Sequence, residues 1–139
     1  MKKLEVLSHS AEETELLGKE IGKTLPSGTV LALFGELGSG KTTFVKGLIE
    51  GFAGVNKDEA ASPTFNYVHI YSKEKTIYHF DLYRILNTDQ FIEMGFAEML
   101  KEADLCCIEW PERIASILPS NTISLFFEHC SPQSRMIKR

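Results

Sequence analysis

An α/β fold with a mostly parallel central sheet and an antiparallel hairpin is what this sequence predicts, on three observations. The run Thr29–Phe34 is continuously apolar and β-branched at its start, the mark of a strand buried on both faces. A glycine-rich loop follows it directly, and then Phe44, Val45, Leu48, Ile49 and Phe52 fall at helical spacing. Further on, two aromatic and β-branched runs, 65–71 and 77–83, flank the hydrophilic Ser72-Lys73-Glu74-Lys75 turn and read as the hairpin.

The remaining elements follow in chain order. Leu4, Val6 and Ser8 alternate with polar positions like a short edge strand. Ser10-Ala11-Glu12-Glu13 then spells a capping box, so a helix starts there. Leu17, Ile21 and Leu25 recur every four residues and make it an amphipathic covering helix, ended by Pro26 and Gly28. Gly51 and Gly54 are available to stop the second helix. Residues 89–101 carry two weak helical turns interrupted by Gly95. Residues 105–108 form a second buried strand ending at Glu109, residues 121–130 a third, and 136–139 a short last one. No repeat or linker interrupts this pattern, which predicts a single domain over residues 1–139.

Composition narrows the function. With 43% hydrophobic and 24% charged residues, the chain can bury a core and is no disordered tail. Its net charge of −4 is the wrong sign for a domain that grips nucleic acid by neutralising phosphates, so any RNA contact is expected through a partner. The longest apolar run is far short of the roughly 20 residues of a membrane span. The polar start, Ser8-His9-Ser10, lacks a signal-peptide core, and a cytoplasmic protein is expected. Cys106, Cys107 and Cys130 have no CxxC spacing and are expected to be reduced core thiols.

The chemistry sits in Gly35-Glu36-Leu37-Gly38-Ser39-Gly40-Lys41-Thr42, which fits G-x-x-x-x-G-K-[ST] with the required strand before and helix after. Such a loop aims successive backbone N–H groups inward as a nest for phosphate, reinforced by the helix N-terminus. Lys41 would bridge the β and γ phosphates, and Thr42 would offer its hydroxyl to Mg²⁺. The fold is thus expected to be three-layer and P-loop NTPase-like.

A metal-bound nucleoside triphosphate also needs a nearby carboxylate. Glu109, after four strand residues, has the Walker B form and lies at the carboxyl end of a buried strand, where open α/β sheets bind ligands. In 77–83, period 2 puts Tyr78, Phe80 and Leu82 on one face and His79 with Asp81 on the other. Asp81 then faces the site, or is a surface acid paired with Arg84. Thr64, in Ser62-Pro63-Thr64, sits where a γ-phosphate sensor belongs, or in an ordinary turn. His69 and His79 oppose each other across the hairpin, but two imidazoles alone are poor evidence of zinc, and core or surface roles are expected. Trp110 stacks on a base or simply packs.

The nucleotide is expected to be ATP. The Asn56-Lys57-Asp58-Glu59 segment carries Glu where a guanine-reading N-K-x-D element has its final Asp, and it follows the loop helix rather than a late strand. A small-molecule kinase would carry an arginine-rich lid, yet the arginines are Arg84, Arg113, Arg135 and Arg139, scattered outside any lid-like stretch. Slow hydrolysis completed by partners is the expectation, with a P-loop small-molecule kinase as the alternative and a nucleotide sensor without relevant hydrolysis as a third.

Together, GELGSGKTTF at 35–44, SPTF at 62–65, HFDLYR at 79–84 and IEWPER at 108–113 resemble, in order and spacing, the TsaE family of bacterial P-loop ATPases. That resemblance implies a protein that binds ATP and Mg²⁺ and works with the TsaD and TsaB subunits, which place a threonylcarbamoyl group on adenosine in tRNA. It implies that Glu36, Leu37, Gly38, Ser39, Gly40, Lys41, Thr42 and Thr43 cradle phosphate, with Thr64 in a switch segment and Trp110 near the nucleotide. Lys41, Asp81 and Glu109 are then the catalytic candidates, and Thr42 and Glu109 the metal candidates. Ser39 and Glu36 stand where relatives often have Ala and Asp.

Overall fold

The computed structural model describes residues 3–54, 67–72 and 74–139. Seven strands form one sheet: β1 (Glu5–Ser8), β2 (Thr29–Phe34), β3 (Val68–Ser72), β4 (Thr76–Asp81), β5 (Leu105–Glu109), β6 (Ile123–His129) and β7 (Arg135–Lys138). Their order is β1-β7-β6-β2-β5-β4-β3. The centre, β6, β2, β5 and β4, is parallel, while β3, β7 and β1 pair antiparallel. This is the expected mostly parallel sheet with its hairpin.

Alternation along the buried strands divides the core in two. Leu31, Leu33, Ile77, Leu105 and Cys107 pack on one face against Phe44, Val45, Leu48 and Phe52 of α2 (Lys41–Ala53). Val30, Phe80, Cys106 and Ile108 pack on the other against Phe91 of α3 (Thr88–Glu93), Phe96, Leu100 and Ile114. Apolar cover on both faces is what lets β2 and β5 be hydrophobic throughout, and it makes the fold three-layered. The turns expected around Gly95 are α3 and a 3₁₀ turn at Glu98–Lys101, with Gly95 at φ 81° between them.

The first helix, α1 (Ala11–Gly22), begins as expected: the Ser10 hydroxyl accepts from the Glu13 N–H at 3.1 Å, and the Glu13 carboxylate accepts from the His9 N–H at 2.7 Å. Its packing differs from the expected leucine stripe. Leu17 and Ile21 reach the core edge, but the helix's own buried positions are Thr14, Gly18 and Gly22. Gly18 and Gly22 lie against the α2 backbone at Phe44 and Leu48, and Gly47 and Gly51 of α2 against the α1 backbone at Glu15 and Lys19, so closely that a Cβ at any of the four would collide with a carbonyl oxygen of the other helix. Gly51 is therefore no helix stop. It lies inside α2 and admits α1, while Gly54 at φ 67° is the C-cap.

Two strand limits and one cysteine also depart from expectation. Thr122 closes a turn onto the Pro119 carbonyl, so β6 starts at Ile123 and stops at His129. Cys130 then lies in an exposed turn tied by its N–H to the Ser134 carbonyl, whereas Cys106 and Cys107 are buried thiols as expected. Among the described residues no helix is long and apolar enough to cross a membrane.

Candidate functional site

The loop between β2 and α2 owes its path to three glycines in the left-handed half of backbone space: Gly35 at φ 152°, Gly38 at 76° and Gly40 at 100°. Gly35 also passes close under β6, where a Cβ would lie 2.7 Å from the Phe127 carbonyl oxygen. Ser39 N–H closes a turn on the Glu36 carbonyl at 3.1 Å. Gly40 is the N-cap of α2. It brings no side-chain acceptor, and the first turn holds no acid, so the leading amides of the helix face the cleft without an internal anion. The buried Ser39 hydroxyl has no hydrogen-bond partner among the described residues. Unanswered amides at a helix start suit a phosphate chain.

Lys41 opens α2 and is almost fully buried. Its ammonium donates to the Gly35 carbonyl and lies 4.1 Å from the centre of the Trp110 ring. Burial holds its pKa below the ordinary lysine value, against the opposing charges of Glu109, Glu112 and Asp81. Trp110 is the one non-glycine residue among those described with positive φ, at 59°. That turn after β5 tips its ring back over Lys41 and onto Tyr83, at 5.1 Å between centroids.

Parallel register aligns the two strand-borne acids: Asp81 of β4 is the direct partner of Glu109 of β5. Thr42 Oγ1 donates to both Glu109 carboxylate oxygens, at 3.1 and 3.2 Å. His79, on the same face of β4 as Asp81, places Nε2 2.5 Å from Glu109 Oε2. Burial alone would push the Glu109 carboxyl up, but the His79 and Thr42 hydrogen bonds and the charges of His79 and Lys41 outweigh it and hold it below its ordinary value. Asp81 is exposed at the rim, where Oδ1 accepts from the Tyr83 N–H at 3.1 Å. Burial lowers the His69 pKa, and the charge of His79 adds to it.

Leu37, Gly38, Gly40, Lys41, Thr42, Thr43, Asp81, Glu109 and Trp110 line one cleft of about 220 Å³. The structure thus brings together every site residue expected from sequence except three. Glu36 and Ser39 shape the loop without lining the cleft, and Thr64 lies outside the described residues. Trp110 packs on Lys41 and Tyr83, as one of its two sequence readings has it, and lines the cleft. Among the described residues no three His, Cys, Asp or Glu side chains converge as a metal cluster. The Thr42 hydroxyl and the Glu109 carboxylate are oxygen donors of the kind a hard cation takes.

Sequence reasoning missed the part played by two residues. His79 was placed from sequence on the Asp81 face of its strand, but its contact with Glu109 was not, because that partner lies on β5. Arg135 gave no local signal, because it reaches the loop only through the sheet order that sets β7 beside β6. Its side chain passes about 3.5 Å from where a Cβ on Gly40 would stand, and its buried Nε has no partner among the described residues. With Gly40 and Thr43 it also lines an adjoining cleft of about 350 Å³ with Ser10, Glu12 and Thr14.

A buried strand, an uncapped glycine loop and a helix-borne lysine and threonine beside a strand-end carboxylate make this a P-loop NTPase-like protein. The chain belongs to the TsaE family, whose model, described as "Threonylcarbamoyl adenosine biosynthesis protein TsaE", matches residues 8–137. It is 40% identical over 119 residues to a Treponema pallidum protein named tRNA threonylcarbamoyladenosine biosynthesis protein TsaE, covering 86% of this chain and 87% of that one. It is 33% identical over 138 residues to the Bacillus subtilis protein of that name, covering 99% and 85%. The crystal structure of Bacillus subtilis YdiB aligns with a TM-score of 0.78 at 30% identity, over 99% of this chain and 84% of that one.

Proposed function

We propose that this chain binds ATP with Mg²⁺ and hydrolyses it in the cytoplasm, as the ATPase that works with TsaD and TsaB in forming threonylcarbamoyladenosine in tRNA. The observation that carries this reading is the convergence of the uncapped α2 N-terminus, Lys41 and the Thr42–Glu109 pair on one cleft. In this reading the amides from Gly38 to Thr43 bind the phosphate chain, and Lys41 leaves the Gly35 carbonyl to bridge the β and γ phosphates. Thr42 and Glu109 would hold Mg²⁺, which would supply charge neutralisation on the phosphates. Asp81, at the open rim beside Glu109, is placed to orient the attacking water. The adjoining cleft, polar at Ser10, Glu12 and Thr14, takes the ribose and base.

Arg135 is the guanidinium nearest the loop, but its Nη1 is engaged by the Ser131, Pro132 and Ser134 carbonyls at 3.2–3.4 Å. In this reading, transition-state charge at the γ phosphate falls on Lys41 and the loop amides, and slow turnover until partners engage is the expectation. The negative net charge supports tRNA contact through the complex rather than by this chain. The test is ATP turnover by the purified chain alone and with TsaD and TsaB, alongside modified adenosine in tRNA. Weak hydrolysis that rises with the partners, together with modification that requires this chain, is expected. Turnover indifferent to the partners, or phosphate passed to a small-molecule acceptor, overturns the proposal.

A further inference from the structure

The carboxylate deepest in the cleft is oriented from outside the glycine loop. Glu109 hangs from the end of β5 with only 6% of its side chain exposed, and its terminal torsion is a soft, two-fold rotation that burial alone does not fix. Thr42 does not fix it either, because its hydroxyl stands nearly equidistant from the two oxygens, at 3.1 and 3.2 Å. His79 breaks that symmetry by taking Oε2 alone, at 2.5 Å. A carboxylate only accepts, so His79 Nε2 carries the proton. The imidazole is itself immobilised. It is 9% exposed, comes from the middle of β4 beside Cys107, and has the His69 ring 5.9 Å away across the hairpin, tilted by 32°.

We propose that His79 is a positioning residue. By donating Nε2–H to Oε2, it locks the Glu109 carboxylate so that Oε1 is the oxygen left to face Thr42 and the water shell of a nucleotide-bound divalent cation. The inference rests on the MgATP reading of the cleft and adds to it a supporting residue that touches neither phosphate nor metal. Supports of this kind commonly set metal affinity by 10-fold to 100-fold, because the ligand oxygen is presented in one orientation instead of several.

The test separates cation binding from nucleotide binding and from turnover. ATP affinity is measured by calorimetry in Mg²⁺ and in EDTA, and the ratio of the two reports how much the cation contributes. In wild type, Mg²⁺ tightens ATP binding. His79→Ala is expected to cut that gain by about 10-fold to 100-fold while leaving the EDTA affinity within about twofold. His79→Gln keeps an amide donor at nearly the reach of the imidazole Nε2 and is expected to restore most of the gain. His79→Asn, one carbon shorter, is expected to leave it lost. Should the alanine variant fail to fold, the two amide variants decide by themselves. Equal ratios in Gln and Asn, both retained or both lost, overturn the assignment, as does a full Mg²⁺ gain in folded His79→Ala. A wild-type chain that binds no ATP at all sinks the nucleotide reading instead, which is a different result.

Discussion

Lys41 is held in the described state by contacts that a triphosphate would replace: the Gly35 carbonyl, the Trp110 face and the pull of Glu109. Removing its ammonium leaves the loop path intact, because that path is set by the glycines. Lys41→Ala should therefore fold with unchanged far-UV circular dichroism and lose ATP turnover by at least about 100-fold, the usual scale for one lost oxyanion donor. Steady-state kinetics on the folded variant checks it, and activity within tenfold of wild type removes Lys41 from the mechanism. Glu109 yields a prediction in acid. Its carboxyl is held below the ordinary value, so the stability it adds is present above about pH 4.5 and is lost as pH falls through the lower, folded value. Urea unfolding between pH 6 and pH 3 should fall more steeply for wild type than for Glu109→Gln, and parallel curves would remove that linkage. Lys41, Thr42, Asp81 and Glu109 were legible in sequence because each belongs to a motif whose spacing is local. His79 and Arg135 were not, since the imidazole matters only through a partner on β5 and the guanidinium arrives from the far side of β6.

At the scale of elements, the contact that fixes α2 is backbone against backbone. Gly18 and Gly22 of α1 meet the α2 backbone, Gly47 and Gly51 of α2 meet the α1 backbone, and no side chain can be added at any of them without moving a helix. Gly47→Ala should cost about 3 kcal/mol or more, the upper end for overpacking, because the obstacle is the Glu15 carbonyl and not a side chain that can turn away. Gly54→Ala meets no described residue and carries the positive-φ penalty of about 1–2 kcal/mol. Denaturant midpoints of the two variants check the order, and a milder Gly47→Ala would mean the helices separate freely. Sequence placed α1 and α2 well, since capping and apolar spacing are local signals. It misread how they touch: a glycine in a helical pattern looks like a weak point or a stop until the second helix is in view. The hairpin was legible for the same reason as the helices, from alternation and a polar turn, and its pairing of His69 with His79 is as expected.

Across the whole molecule, the parallel centre was legible because strands covered on both faces must be apolar throughout, as β2 and β5 are. Strand order was not, because it depends on which crossovers pack, and the pairing that matters most at the sheet's edge joins residues far apart in the chain. Glu5 of β1 faces Lys138 of β7, and the Arg139 N–H donates to the Leu4 carbonyl at 2.9 Å. Those two antiparallel strands stand as a hairpin that simply lacks its turn. A two-residue Asn-Gly joint from position 139 back to position 4 would supply one. New ends could then be cut at Gly95, which sits in open space between α3 and the following 3₁₀ turn. Such a circular permutant should keep the wild-type circular dichroism spectrum and its MgATP affinity within about threefold, since neither the seam nor the cut touches the cleft. Across this edge, residues far apart in the chain lie within one hydrogen bond of each other, and the sheet holds them there as neighbours.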